Sequence, residues 1–182
     1  MSSERLEGRI KSRVKKLSNG RLHEYSLKFH KRSRKDQSGK CDAFYTGNQD
    51  DCVIGVIFQI NKKGEKKLNK IEGLGYGYNK KIVEVFDDCG ERVNSIIYYA
   101  TDIVDYLKPY NWYKYHVLHG AVENGLPYDY ISKIEQVDPI IDPDEERAEN
   151  ELSIYHRELT RRSDPTSKET KDRDLIEISR QK

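Results

Sequence analysis

The apolar residues of this chain change period several times, and each change marks an element. Leu6, Ile10, Val14 and Leu17 are spaced by four, four and three, which is one face of a helix within residues 1–20. Asn19-Gly20 follows as a turn signal. Leu22 comes next, and then Tyr25, Leu27 and Phe29 alternate as a strand does. Residues 30–40 are polar and dense in charge, and read as a loop too charged to be buried. Cys41 to Tyr45 reads as a short strand, closed by a turn at Thr46-Gly47-Asn48. Cys52 to Ile60 is a compact apolar run with several β-branched residues, the pattern of a central strand. Asn61 is placed to N-cap a helix that ends near Glu72. Lys81 to Phe86 and residues 92–100 read as an antiparallel hairpin joined through Asp87-Asp88-Cys89-Gly90.

Pro109 interrupts the next stretch. Asn111 to Val122 is helix-like, with Trp112, Tyr115, His116, His119 and Val122 near one face. Gly125-Leu126-Pro127 stops that helix and starts another, with Pro127 at its N1 position. Tyr130, Ile131, Ile134 and Val137 then sit at helical spacing. Asp138-Pro139 and Asp142-Pro143 punctuate the end of a domain spanning 1–142. Residues 143–182 form a second region: a charged helix over 144–160, then from Arg161 a tail whose mixed charge suits mobility. No internal repeat is present.

Composition narrows the function classes. The 182 residues suffice for one domain with a core. Lys plus Arg is 33 against 31 for Asp plus Glu, a net charge of +2. That balance gives no electrostatic case for nucleic acid or membrane as partner. No run is apolar enough to span a bilayer, and no secretory h-region follows Met1. The three cysteines, Cys41, Cys52 and Cys89, form no CxxC pair and suit a reduced, cytoplasmic setting. The 13 tyrosines against 4 phenylalanines stand out. Tyrosine keeps a hydroxyl wherever it packs, so it suits a cavity holding a polar ligand.

The stretch from Lys67 to Tyr78 puts one carboxylate, Glu72, at the edge of a glycine- and tyrosine-rich turn between helix and strand. Such a place suits a catalytic acid, and it equally suits a solvated surface glutamate. Gly73-x-Gly75-x-Gly77 is no dinucleotide fingerprint, because Tyr78 stands where a third glycine is needed and the order is helix, turn, strand. His116 and His119 are three apart on a helix, but no third metal ligand lies near them in sequence. Ser33 and Ser38 lie near His30 without a nucleophile-elbow context.

Four stretches, in order, resemble the γ-glutamylcyclotransferase family. They are Phe29 to Ser33 with Ser38-Gly39-Lys40; Val53 to Phe58; Leu68-Asn69-Lys70-Ile71-Glu72-Gly73 running to Tyr78; and Tyr113 with Gly120 to Pro127, followed by Tyr130 and Ile131. The resemblance covers about residues 5–140. It implies an α+β fold: a small mixed, mostly antiparallel β-barrel with flanking helices. It also implies a reaction, in which the α-amine of a γ-glutamyl group attacks its own γ-carbonyl to give 5-oxoproline and a free amino acid or amine. No metal or organic cofactor is implied. The family's catalytic carboxylate maps onto Glu72, and ligand-lining tyrosines onto Tyr98 and Tyr113, with Tyr78 as a third.

Intramolecular attack asks the enzyme to hold a folded conformer and move protons. A free glutamate, with a pKa of about 4.3, is a poor base for an ammonium of about 7.7–8.0. Burial among tyrosine rings raises such a value, so the expectation is a partly buried Glu72 in a tyrosine-lined pocket. Two departures from the family pattern are visible. The family's opening strand and Tyr-Gly-Ser-Asn loop are missing before Met1, through a late start or a real loss, and Asn69 stands where the family often has Asp. A real loss would favour a catalytically impaired binding protein on the same scaffold. RNA binding through the basic 5–16 and 28–40 segments lacks interleaved aromatics beyond Phe29. The homodimer is the default oligomer.

Overall fold

The computed structural model of the chain describes residues 2–162, with side chains through Tyr155. Two compact units emerge, one ending at Ile141 and one beginning at Asp142. In the second, α5 (Glu145–Arg162) follows Asp142 and Asp144, which both pair with Arg147. The rest of the expected tail lies outside the described residues.

The first unit is α+β, with a curled antiparallel sheet and flanking helices. Its strands are β1 (Lys15–His23), β2 (Tyr25–Arg32), β3 (Gly39–Tyr45), β4 (Cys52–Gln59), β5 (Tyr78–Asp87) and β6 (Arg92–Ala100). Four form one sheet in the order β4-β1-β5-β6, and β2 pairs with β3 as a separate ribbon. All these pairings are antiparallel. The ribbon approaches both edges of the sheet, β3 beside β6 and β2 beside β4, without joining its ladder, and the assembly is a curled half-barrel. Four helices flank it: α1 (Ser3–Ile10), α2 (Lys62–Ile71), α3 (Asn111–Glu123) and α4 (Tyr128–Glu135).

The N-terminal helix is shorter than its apolar spacing suggests. It stops at Ile10, and Lys11 takes a left-handed φ of 49°. Leu6 and Ile10 are buried, while Leu17 lies exposed on β1. Asn19-Gly20 is not a turn but the middle of that strand, where Gly20 pairs with Gly55. A Cβ on Gly20 would lie 2.6 Å from Val85 Cγ1 and 2.9 Å from Ile57 Cγ1. Glycine is there for interior closeness, not for turn formation.

Among the described residues strand β4 pairs with β1 and forms an edge of the four-stranded sheet, not its centre. Its continuous apolar run has another cause. Val53 and Ile57 pack with Leu22, Tyr25 and Val85, while Ile54 packs with Phe29, Ala121 and Tyr130 beneath α3 and α4. Both faces carry apolar contacts although β4 lies at the edge of its sheet, and contact on two faces is what an apolar run reports.

The charged 30–40 segment is the largest departure. It continues β2, turns at Ser33–Ser38 and returns as β3, and it buries His30, Ser33 and Ser38. On α3, Trp112, His116, Gly120 and Ala121 are buried, whereas Tyr115 and Val122 face outward. Pro127 is the N-cap of α4, one place before the expected N1. The expected hairpin of β5 and β6 is in register from Tyr78↔Ala100 to Phe86↔Arg92.

Candidate active site

Asn61 caps α2 by accepting from the Gly64 N–H at 2.8 Å. At the other end the helix closes in a Schellman motif. Glu72 is the C-cap, Gly73 has a φ of 65°, the Gly73 N–H donates to Lys70 O at 3.2 Å, and the Leu74 N–H reaches back to Asn69 O at 2.9 Å. The Gly77 N–H donates to Gly73 O at 2.7 Å, and a Cβ on Gly77 would lie 2.8 Å from Glu72 O. The glycines therefore fold the chain tightly over the carboxylate's own backbone. This fixes Glu72 between α2 and β5.

The Glu72 side chain is only 15% exposed, and Arg9 Nη1 of α1 lies 3.3 Å from its Oε1. An acid at a helix C-terminus sits at the negative end of the dipole, and Arg9 offsets that cost. Tyr78, at the end of the same turn, is buried, and its hydroxyl donates to Cys41 O at 2.7 Å. Lys31 of β2 stands over the Tyr78 ring, 5.0 Å from its centroid. Arg34 stands over Tyr76 at 5.5 Å.

The three tyrosines divide between two places. Tyr113 accepts the Cys41 N–H at 3.1 Å, so Tyr113 and Tyr78 hold the N–H and the C=O of one β3 residue. Burial pushes both phenols well above their ordinary value. Burial likewise pushes the Cys41 thiol up to about 12, which keeps it protonated. Tyr98 lies elsewhere, with its hydroxyl donating to Asn69 Oδ1 of α2 at 2.7 Å. Burial pushes its phenol up to about 12, helped by the negative charges of Glu65 and Glu72. Tyr98 also lines a cavity of about 530 Å³ inside the half-barrel, together with Leu22, Ile57, Glu65 and Leu68. Glu72 does not line that cavity, which is mostly apolar. The polar site is the Glu72–Tyr78–Lys31 corner.

The sequence pattern does not single out Arg9 or Lys31: Arg9 is one of several basic residues in the 5–16 segment, and Lys31 falls in the 30–40 stretch that reads as a loop. Extending the β2 alternation past Phe29 would have kept Lys31 on a strand. The histidines take structural places. His116 packs edge-on to Trp112 with centroids 5.8 Å apart, and His119 Nδ1 is 3.9 Å from Glu123 Oε2. His30 faces Asp42 at 3.0 Å and Asp105 at 3.6 Å, so carboxylates rather than a serine stand beside both of its ring nitrogens.

A curled α+β half-barrel with a carboxylate seated at a helix-to-strand turn defines a recognisable class. Residues 52–134 match the AIG2-like family. Over 90 residues the chain is 33% identical to bovine γ-glutamylcyclotransferase and 32% identical to the human protein, which is 49% of this chain and 47% of each relative. It spans about half the length of these curated relatives. A solved structure named γ-glutamyl cyclotransferase superposes with a TM-score of 0.70 at 25% identity, covering 82% of this chain and 92% of that one. The crystal structure of an uncharacterized human protein gives a TM-score of 0.69 at 26% identity, over 81% and 92%. Residues 52–134 carry the AIG2-like match, and the chain is similar to γ-glutamylcyclotransferases at the level of distant homology. Among the described residues no helix is long and apolar enough to cross a membrane.

Proposed function

We propose that the chain cyclises a γ-glutamyl amino acid or amine to 5-oxoproline and releases the amino acid or amine, with Glu72 as general acid and base. The observation that carries this reading is the seating of Glu72. It is a mostly buried carboxylate, held by a Schellman turn and by Arg9, and it is bordered by Tyr78. Such fixing holds a proton-transfer group still relative to a folded substrate. In the reaction the substrate ammonium gives a proton to Glu72, and the freed amine attacks the γ-carbonyl carbon. The carbon–nitrogen bond to the departing amine breaks as Glu72 returns a proton to that nitrogen. The attacking nitrogen loses two protons and the departing one gains two, and one carboxylate relays them in turn. No cofactor is needed for this balance. The named activity of the bovine and human relatives supports the same reading.

A second reading, a binding protein on the same scaffold, draws on the Arg9–Glu72 pair, which occupies one carboxylate oxygen. The test is 5-oxoproline release, read by mass spectrometry, from γ-glutamyl amino acids, glutathione and γ-glutamyl amines. Release that Glu72→Gln abolishes supports the enzyme. Release that persists in Glu72→Gln removes the assignment, and no release from folded protein leaves the binding reading.

A further inference from the structure

Lys31 differs from the cations around it. Arg9 pairs with Glu72, Arg32 with Asp102 at 2.9 Å, and Lys40 with Asp36 at 2.9 Å. Among the described residues Lys31 makes no ion pair within 4.0 Å and no side-chain hydrogen bond. Its ammonium is nevertheless partly buried, held over the Tyr78 ring at the corner that Glu72 occupies. An aromatic face attracts the charge but accepts none of its three N–H donors in the ordinary way. A half-buried ammonium with unspent donors is costly unless something pairs with it. Burial lowers the Lys31 pKa, against the raising influence of Glu72 and Asp102. The exposed Arg34, over Tyr76, adds a second cation to the same corner.

The chemistry of a γ-glutamyl compound supplies the missing partner. Its glutamyl α-carboxylate, and the carboxylate of a departing amino acid, are both anions that Glu72 repels. We propose that Lys31 is the anion-binding residue of the Glu72 site and pairs with a carboxylate of the substrate. This rests on the cyclisation reading for the identity of the ligand. Lys31 is a specificity residue here, while the proton transfers stay with Glu72.

The test is isothermal titration on the Glu72→Gln protein, chosen to suppress turnover, alone and with Lys31→Met or Lys31→Arg added. The probes are γ-glutamylglycine, γ-glutamylmethylamide (which has no carboxylate on the departing side) and γ-glutamylglycine with its glutamyl α-carboxylate converted to the amide. Lys31→Met should weaken γ-glutamylglycine about tenfold or more, the scale of one charge-assisted hydrogen bond, and Lys31→Arg should restore most of it. A loss that persists with the methylamide assigns the glutamyl carboxylate. A loss that persists only with the α-amide probe assigns the departing one. Unchanged affinity in a Lys31→Met protein that melts normally overturns the proposal, as does a Glu72→Gln protein that binds none of the probes. The two readings separate cleanly. Glu72-dependent release of 5-oxoproline with Lys31-independent binding sinks Lys31 alone. Lys31-dependent binding by a chain that releases nothing sinks the cyclisation alone.

Discussion

Two segments of similar polarity behave in opposite ways. The α2–turn–β5 segment keeps its polar residues at a surface turn and seats Glu72 through caps only a few residues away: Asn61 at one end, Gly73 and Gly77 at the other. The β2–β3 ribbon is also rich in charge, but it folds part of its polar set inward. Its turn hides Ser33 and Ser38, and its strands hide His30 and Asp42. Its partners come from far along the chain. The Ala100 N–H donates to Asp42 at 2.8 Å, the Gly39 N–H to Lys108 O at 2.9 Å, and Tyr113 meets Cys41. A capped turn is a local object, whereas a buried charge depends on tertiary contact. Only the first is written in neighbouring residues.

The sharpest way to test the contrast is to separate chemistry from stability. Glu72→Gln should cut turnover by about 10²–10⁴-fold, the usual worth of a positioned general acid–base. Its melting temperature should barely move, since a partly exposed ion pair contributes only about 0–1 kcal/mol. A large fall in melting temperature would make Glu72 a structural residue and erase the contrast. Gly39→Ala should do the reverse. A Cβ there would lie 2.1 Å from Phe29 O and 3.2 Å from Lys108 C, both backbone atoms that cannot swing aside. Destabilisation of about 3 kcal/mol or more is expected by denaturant unfolding, from overpacking and a lost ribbon contact. A neutral result would show that the ribbon tolerates slack.

Tyr113→Phe comes next in size. It removes the acceptor for the Cys41 N–H, and an unsatisfied enclosed donor costs about 1–3 kcal/mol. Because Tyr78 holds the carbonyl of the same residue, the loss should spread to the Glu72 corner and raise KM as well as lower stability. If urea unfolding is unchanged while KM rises, the Tyr113 hydroxyl meets substrate instead of β3.

What could be read from the sequence follows the same division. The span of α2, its cap at Asn61, its end at Glu72 and the β5–β6 hairpin were all visible, because each is set by neighbours within a few residues. The helix face through Val14 and Leu17 was misleading, since Lys11 breaks the helix with a left-handed φ that no local residue type announces. Gly20 read as a turn because a glycine needed for interior packing carries the same letter as one needed for a bend. β4 read as central because an apolar run reports covered faces and says nothing of hydrogen-bonded edges. At the candidate site, the Glu72-to-Tyr78 turn is contiguous in sequence, whereas Arg9 and Lys31 reach it from other elements.

The smallest expected signal is a slope rather than a loss, and it tests whether the ribbon's charges hold the turn. Asp36 is 3% exposed at its side chain and accepts from Lys40 Nζ at 2.9 Å, Ser38 Oγ at 2.8 Å and the Ser38 N–H at 3.0 Å. Burial alone would push its carboxyl up. The hydrogen bond and charge of Lys40, with the two Ser38 bonds, outweigh burial and hold it below the ordinary 3.8. Lys40 is itself fixed, with Trp112 and Tyr113 rings each 4.6 Å from its ammonium. A depressed folded-state pKa means stability that is fully present above the unfolded value of about 3.9 and is lost as pH falls through the folded one. Wild type should therefore lose melting temperature between about pH 5 and pH 2 more steeply than Asp36→Asn, and the gap between them should close on acidification. A gap that stays constant across that range would mean that Asp36 holds the turn by shape and not by charge. The ribbon would then be as local in its logic as the Glu72 turn.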